Sequence, residues 1–227
     1  MIFTFAVMYT ELIETGDGSH TLFRPDLNES YHSIHGAIQE SMHIFINPGI
    51  TKSEKSVLRI FEVGFGTGLN VILSLIEAEK LKVSLTIDSI EKYPLSLETI
   101  SKLNYPQYLP AEYKHLFHEI HEKEWNKSIT INSLKLTKIS QDLRSYEFQD
   151  SYDLVYFDAF SPEKEPDLWL REIFLKIYNA LNIGGYLLTY SVKGQVRRDM
   201  QDIGFTVEKL PGPPGKKQIL KAIKNKP

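Results

Sequence analysis

The sequence predicts an α/β fold with one mostly parallel sheet, on three observations. From residue 57 onward, short apolar and β-branched runs alternate with helical patterns, as in a sheet covered on both faces. The first run, Val57-Leu-Arg-Ile-Phe61, leads straight into Glu62-Val-Gly64-Phe-Gly66-Thr-Gly68-Leu-Asn70, a glycine-rich turn that opens a helix. Near the other end, Pro211-Gly-Pro-Pro-Gly215 separates two apolar runs. That connection is too short for a crossover helix, so the last two strands pair antiparallel.

Each element follows in order. Residues 1–24 alternate and carry Thr15-Gly-Asp-Gly18, a turn signal between two short strands. The opening Met1-Ile-Phe-Thr-Phe-Ala-Val-Met8 lacks a basic segment and reads as a strand rather than a signal peptide. Apolar and aromatic positions over 30–47 suggest a helix. The pattern then predicts strands over 57–63, 83–90, 134–140, 152–158, 185–191, 205–210 and 217–223, and helices over 68–79, 94–103, 167–182 and 193–203. Residues 104–133, with Trp125 and the spaced His115, His118 and His121, interrupt the alternation; these histidines are expected on a helix surface and are assigned no metal. With no repeat or long linker, residues 1–56 form an N-terminal extension of hairpin and helix on a core of 57–227.

Composition narrows the function. The chain has 227 residues, 42% hydrophobic and 24% charged, in the range of soluble globular proteins, and no apolar run reaches the ~20 residues of a membrane span. A cytoplasmic location without membrane attachment is therefore expected. The absence of cysteine excludes disulfide frameworks, thiolate–zinc sites and thiol nucleophiles. The net charge of −3 is unevenly distributed: from Lys193 onward nine basic residues face three acidic ones. Such asymmetry marks either a phosphate-facing surface or a solvated lysine-rich tail.

The chemistry sits at the carboxyl ends of the strands, where open α/β sheets bind ligands. Glycines at 64, 66 and 68 let backbone approach a ligand without Cβ interference. Position 69 is Leu, so the dinucleotide spacing fails, and no Gly-Lys-Ser/Thr ending makes a phosphate loop. Four acidic residues then end consecutive strands: Glu62, Glu91, Asp142 and Asp158. A Gly-x-Gly-x-Gly turn behind an acidic strand end is similar to the first motif of S-adenosylmethionine (SAM) methyltransferases. On that pattern Glu62, Gly64, Phe65, Gly66, Thr67, Gly68 and Asn70 line the cofactor. Glu91 binds both ribose hydroxyls, Asp142 meets the adenine amino group and Asp158 lies beside the methyl donor. Asp158-Ala-Phe-Ser-Pro162 adds a proline-fixed loop of the kind found in N-methyltransferases, where a carboxylate orients an amine.

Further motifs occur in a fixed order: Thr15-Gly-Asp-Gly-Ser-His-Thr21, Glu29-Ser-Tyr-His-Ser33, Gly36-Ala-Ile-Gln-Glu-Ser41, Thr189-Tyr-Ser-Val-Lys-Gly194, Val196-Arg-Arg198 and Pro211-Gly-Pro-Pro-Gly-Lys-Lys217. With the glycine turn and Asp158-Ala-Phe-Ser-Pro162, the chain resembles, over nearly its whole length, the tRNA 5-methylaminomethyl-2-thiouridine methyltransferase family. That family is the methyltransferase half of a bifunctional wobble-uridine enzyme and also exists as a standalone protein. The resemblance implies a Rossmann-like SAM-methyltransferase sheet with one terminal antiparallel strand. It also implies methyl transfer from SAM to the primary amine of 5-aminomethyl-2-thiouridine in the tRNA anticodon stem-loop. No second cofactor motif marks a flavin-dependent oxidoreductase half, so methylation without deacylation is expected. Gln141 stands where the family pattern has glycine, a departure next to the adenine contact.

The residues agree with amine chemistry on one independent point. Methylating a pyrimidine ring carbon usually needs a cysteine nucleophile, whereas an amine needs no covalent help. Asp158 is the expected catalytic group. Tyr31 and Phe160 are expected to stack on the base, with Ser161 and Pro162 beside them. Lys193, Arg197, Arg198, Lys216 and Lys217 are expected to meet phosphates. Two other readings stay open: a methyl- or aminopropyltransferase acting on a small amine, with an acidic pocket, and a non-catalytic SAM- or RNA-binding module.

Overall fold

The computed structural model describes residues 9–226; the strand expected over the first eight residues lies outside them. The described residues start with a small antiparallel sheet, β1 (Glu11–Glu14), β2 (His20–Arg24) and β3 (Glu29–Ser30). The β1–β2 turn is the Thr15–Gly18 segment, whose Thr15 Oγ1 donates to Asp17 at 2.9 Å. The helix expected over 30–47 is shorter. It begins only at α1 (Ala37–Ser41) and continues as a π-helical turn to Ile46. Residues 31–36 stay irregular because their polar groups bond elsewhere: His32 N–H donates to Thr21 Oγ1 at 2.9 Å and Gly36 N–H to Ser33 O at 3.1 Å.

The core follows as β4 (Val57–Val63), α2 (Leu69–Leu81), β5 (Ser84–Glu91), α3 (Leu97–Ile100), α4 (Lys114–Glu122), β6 (Ser128–Ile131), β7 (Leu134–Ser140), β8 (Tyr152–Phe157), α5 (Arg171–Ala180), β9 (Leu181–Thr189), α6 (Gly194–Ile203), β10 (Phe205–Pro211) and β11 (Gln218–Lys224). The sheet order is β10-β11-β9-β8-β4-β5-β7-β6. Strands β7, β5, β4, β8 and β9 are parallel, and β11 runs antiparallel between β9 and β10. At the other edge β6 pairs antiparallel with β7, a hairpin not expected from sequence; its turn places Asn132 at φ 51°, a conformation asparagine tolerates.

Helix α2 is buried from Leu69 to Ile76, covered by the sheet on one side and by the N-terminal extension and α4 on the other. The opposite face of the sheet packs α5, α6 and an aromatic cluster of Phe61, Tyr146, Phe148 and Tyr152. Helix α3 is one turn long, capped by Ser96 accepting from Thr99 N–H, instead of spanning 94–103. Leu170 and Leu181 both adopt extended conformations and confine α5 to 171–180; with Leu181 already extended, β9 starts four residues before the expected strand. Among the described residues, no helix is long and apolar enough to cross a membrane.

Candidate active site

β5 and β7 lie to one side of β4, and β8 and β9 to the other. The carboxyl ends of β4 and β8 thus form the switch point at which such sheets bind ligands. There the two loops touch. A Cβ on Gly64, at φ 88°, would lie 2.6 Å from the Asp158 carbonyl oxygen, so only glycine lets the β4 turn pass under the β8 loop. Gly66, at φ 48°, approaches the Tyr31 ring, 3.1 Å from where a Cβ would stand. A cavity of about 610 Å³ opens above them, a size typical of cofactor sites.

The cofactor side is built from strand ends. Glu91 accepts from Gly66 N–H at 3.1 Å and Tyr93 N–H at 2.8 Å, so the carboxylate is aimed by the turn it faces. Burial, more than these donors, sets its titration and pushes its carboxyl above the usual range. Glu62 is 1% exposed; Ser89 donates to its Oε2, while Oε1 has no hydrogen-bond partner among the described residues. Burial pushes its carboxyl up to about 8. Asp142 caps a short helical turn and is held by Arg144 at 2.7 Å and Lys92 at 3.1 Å, which keep it well below the carboxylate range.

Asp158 follows β8. Its Oδ2 accepts from Asn70 Nδ2 at 2.8 Å, and no described donor bonds Oδ1. Burial, then the Glu40 charge, pushes it up to about 7. The loop behind it is clamped at each residue. Tyr190 OH donates to Ala159 O at 2.9 Å, Trp169 Nε1 to Phe160 O at 2.8 Å, and Ser161 Oγ to Glu29 at 2.7 Å. Tyr31 meets Phe160 edge-on at 5.0 Å over the cavity, and Arg24 lies 5.8 Å from the Phe160 ring.

Of the residues singled out from sequence, Tyr31, Gly64, Phe65, Gly66, Thr67, Asn70, Glu91, Asp142, Asp158, Phe160 and Lys216 line the cavity together. Glu62, Gly68, Ser161 and Pro162 do not line it. Lys193 pairs with Glu163 and Arg198 bonds Gln195 at 2.9 Å on α6. Arg197 has a buried Nε, and Lys217 is exposed beyond the cavity wall.

His121 departs from the surface position expected of it. Its ring is buried under Gly68 and its Nε2 bonds Thr67 O at 3.1 Å, with burial pulling its pKa down to about 3. His115 and His118 on the same helix are exposed. Among the described residues, no cluster of histidine and carboxylate side chains is arranged to hold a metal.

Sequence reasoning missed the cavity roof, supplied by the N-terminal extension and the β10–β11 loop. His32 bonds Thr67 Oγ1 at 2.8 Å and is pulled down to about 4 by burial, and Glu40 pairs with Lys216. Arg24, Lys164, Glu165 and Tyr190 also line the cavity. Glu29, His32 and Glu40 all lie in motifs that the sequence displays, but nothing local tells which strand end they will meet.

The residues fit SAM. The turn is a cradle that a Cβ would fill, and Glu91 lines the cavity with a carboxylate whose backbone donors are in place. Comparison with known proteins agrees. Residues 97–225 match the family described as S-adenosyl-L-methionine-dependent methyltransferase. The tRNA 5-methylaminomethyl-2-thiouridine biosynthesis bifunctional protein MnmC of Pseudoalteromonas translucida is 26% identical over 86% of this chain and 33% of its own length. The protein of that name from Campylobacter hominis is 30% identical over 90% of this chain and 31% of its own. The chain thus spans about a third of the length of these curated relatives. The crystal structure of MnmC2 from Aquifex aeolicus superposes with a TM-score of 0.80 at 28% identity, over 96% of this chain and 71% of that one. Spermidine synthase from Thermotoga maritima, at 12% identity and a TM-score of 0.57, shares the fold alone. By its sequence match over more than half its length, and with a cavity suited to that cofactor, the chain belongs to the S-adenosyl-L-methionine-dependent methyltransferases.

Proposed function

We propose that this methyltransferase acts on the primary amine of 5-aminomethyl-2-thiouridine at the wobble position of tRNA, giving the 5-methylaminomethyl product. The observation that carries the reading is Asp158, which lines the cavity at the switch point with Oδ2 tied to Asn70 and no described donor on Oδ1. The names of the relatives that match most of the chain support the same substrate.

When bound, SAM supplies an electrophilic methyl group on a sulfonium. The chain's own residues do the rest. Glu91 holds the ribose hydroxyls, Asp142 lies on the adenine side, and Glu62, buried beside the glycine turn, supports the methionine end without lining the cavity. An acceptor amine at neutral pH arrives largely as ammonium and attacks only when neutral. Asp158 Oδ1 accepts its N–H and takes the proton; a carboxyl pushed up to about 7 is matched to that task. Asn70 fixes the carboxylate plane, so the gain comes mainly from orientation. Tyr31 and Phe160 supply aromatic faces for an unstacked base. Lys193, Arg197, Arg198 and Lys217, outside the cavity, would meet backbone phosphates, and residues 9–56 act as a roof over the core that begins at 57.

The test is transfer of labelled methyl from SAM to tRNA lacking the modification, followed by nucleoside digestion. Label in 5-methylaminomethyl-2-thiouridine is expected. Label only in a small amine such as a polyamine would overturn the tRNA assignment, and no transfer with intact SAM binding would leave a binding module.

A further inference from the structure

Four side chains from distant segments meet in one part of the cavity wall, and the mechanism above uses only Asp158. The others are Glu40 of α1, Lys216 of the β10–β11 loop and Tyr190 just after β9. Glu40 is 7% exposed, and Ser33 N–H donates to its Oε2 at 2.7 Å. Its Oε1 pairs with Lys216 Nζ, and that Nζ lies 4.7 Å from the centroid of the Tyr190 ring. An ammonium group therefore sits between a buried carboxylate and an aromatic face, an arrangement by which proteins bind amine cations.

The loop that carries Lys216 does not need this pair to stay in place. Gly212 N–H donates to Lys217 O at 3.0 Å and Lys216 N–H to Pro213 O at 2.9 Å. His43 Nε2 bonds Pro211 O at 2.9 Å, and a Cβ on Gly215 would stand 2.2 Å from the His35 ring, so the loop lies flat on the extension. The lysine side chain is about a third exposed and flexible, and it can leave while its backbone stays. Glu40 would keep its Ser33 donor.

We propose that Glu40 and Tyr190 form the seat for the ammonium group of the acceptor, and that Lys216 holds the seat until the substrate displaces it. The inference rests on the amine-acceptor reading above and names the residues that select an amine over a hydroxyl. Glu40, Tyr190 and Asp158 line the same cavity, and the Tyr190 hydroxyl donates at 2.9 Å to the carbonyl of Ala159, the residue after Asp158, so the seat adjoins the base that takes the proton. Once displaced, Lys216 turns toward the rim beside Lys217.

Calorimetry on protein loaded with S-adenosylhomocysteine separates a seat from a latch. The probes are 5-aminomethyl-2-thiouridine nucleoside and its 5-hydroxymethyl analogue. Lys216→Met should bind the amine nucleoside about three- to tenfold more tightly, because the resident cation is gone. Glu40→Gln, which can still accept from Ser33, should bind it about tenfold more weakly, as for loss of a charge-assisted bond. The hydroxymethyl analogue should move by less than about twofold in both variants. A latch predicts weaker binding of both nucleosides in both variants, and that result overturns the seat. If Glu40→Gln proves unfolded by thermal melt, Lys216→Met decides alone, since tighter amine binding has the opposite sign to damage. Label entering tRNA while neither substitution changes amine affinity overturns the seat and spares the amine reading. A wild-type protein that labels no tRNA and binds neither nucleoside overturns both.

Discussion

The wall of the cavity built on the glycine turn is held by bonds between neighbouring strand ends, whereas the roof opposite is held by side chains 132 and 176 residues apart in sequence. On the first wall, Glu91 takes the N–H groups of Gly66 and Tyr93, and Gly64 N–H donates to Ile90 O at 2.9 Å. On the second, Glu29 reaches Ser161 and Glu40 reaches Lys216. Backbone donors cost little entropy to aim once the strands pair, so the cofactor wall is set when the sheet forms. The roof depends on side-chain pairs, and those can exchange partners for a substrate. A methyltransferase needs both: a fixed site for the methyl donor and an adaptable one for the acceptor.

The largest expected effect breaks the point where the walls meet. Asp158→Ala removes the group proposed to orient the amine and take its proton, and turnover should fall by about 10²–10⁴-fold. SAM binding, measured by calorimetry, should stay within about twofold, because the proposed partner is the acceptor; a parallel loss of SAM affinity would move Asp158 to the cofactor wall.

Gly66→Val tests the cofactor wall itself. A branched residue at φ 48° is strained by about 1–3 kcal/mol, and its side chain would drive into Tyr31. SAM affinity should drop by about 10- to 100-fold while circular dichroism shows a folded protein. Unchanged affinity would remove the turn from the site.

Glu91→Ala should weaken SAM by about tenfold or more, the loss of charge-assisted bonds worth roughly 1.5–3 kcal/mol. An analogue lacking the ribose hydroxyls should lose much less, and equal losses for the two ligands would show that Glu91 is not the ribose partner.

The smallest effect, about tenfold per pH unit, sharpens the comparison by titration. Asp158 is raised from 3.8 to about 7, so the active carboxylate is present above that value and lost as pH falls through it. The rate constant at saturating tRNA should decline on the acid side of about pH 7. Because the Glu40 charge contributes to the elevation, Glu40→Gln should move that limb to lower pH. A limb near pH 4 in the wild type would mean that Asp158 is not the titrating base.

How much of this was legible in the sequence follows the same division. The runs 57–63 and 134–140 become strands at those residues: the first is apolar nearly throughout, as a strand buried on both faces must be, and the second alternates apolar with polar residues at the strand period. Glu62, Glu91 and Asp158 follow from lying within one residue of the carboxyl ends of their strands. The extent of the helix over 30–47 did not follow, since residues 31–36 spend their hydrogen bonds on β2 and the hairpin turn. Nor did the burial of His121, whose helix shows an ordinary amphipathic pattern and whose partner is a carbonyl 54 residues away.

By itself, then, the sequence determined the alternation of strands and helices, the glycine turn, the acidic strand ends and the cofactor class they imply. Those features depend on residues close together in the chain, where periodicity and backbone conformation are local properties. Only the tertiary structure decided that Glu40, Tyr190 and Lys216 converge beside Asp158, and that Tyr31 and Phe160 meet over the cavity. Contacts between segments so far apart depend on how the extension and the last hairpin pack on the sheet, and no local pattern carries that information.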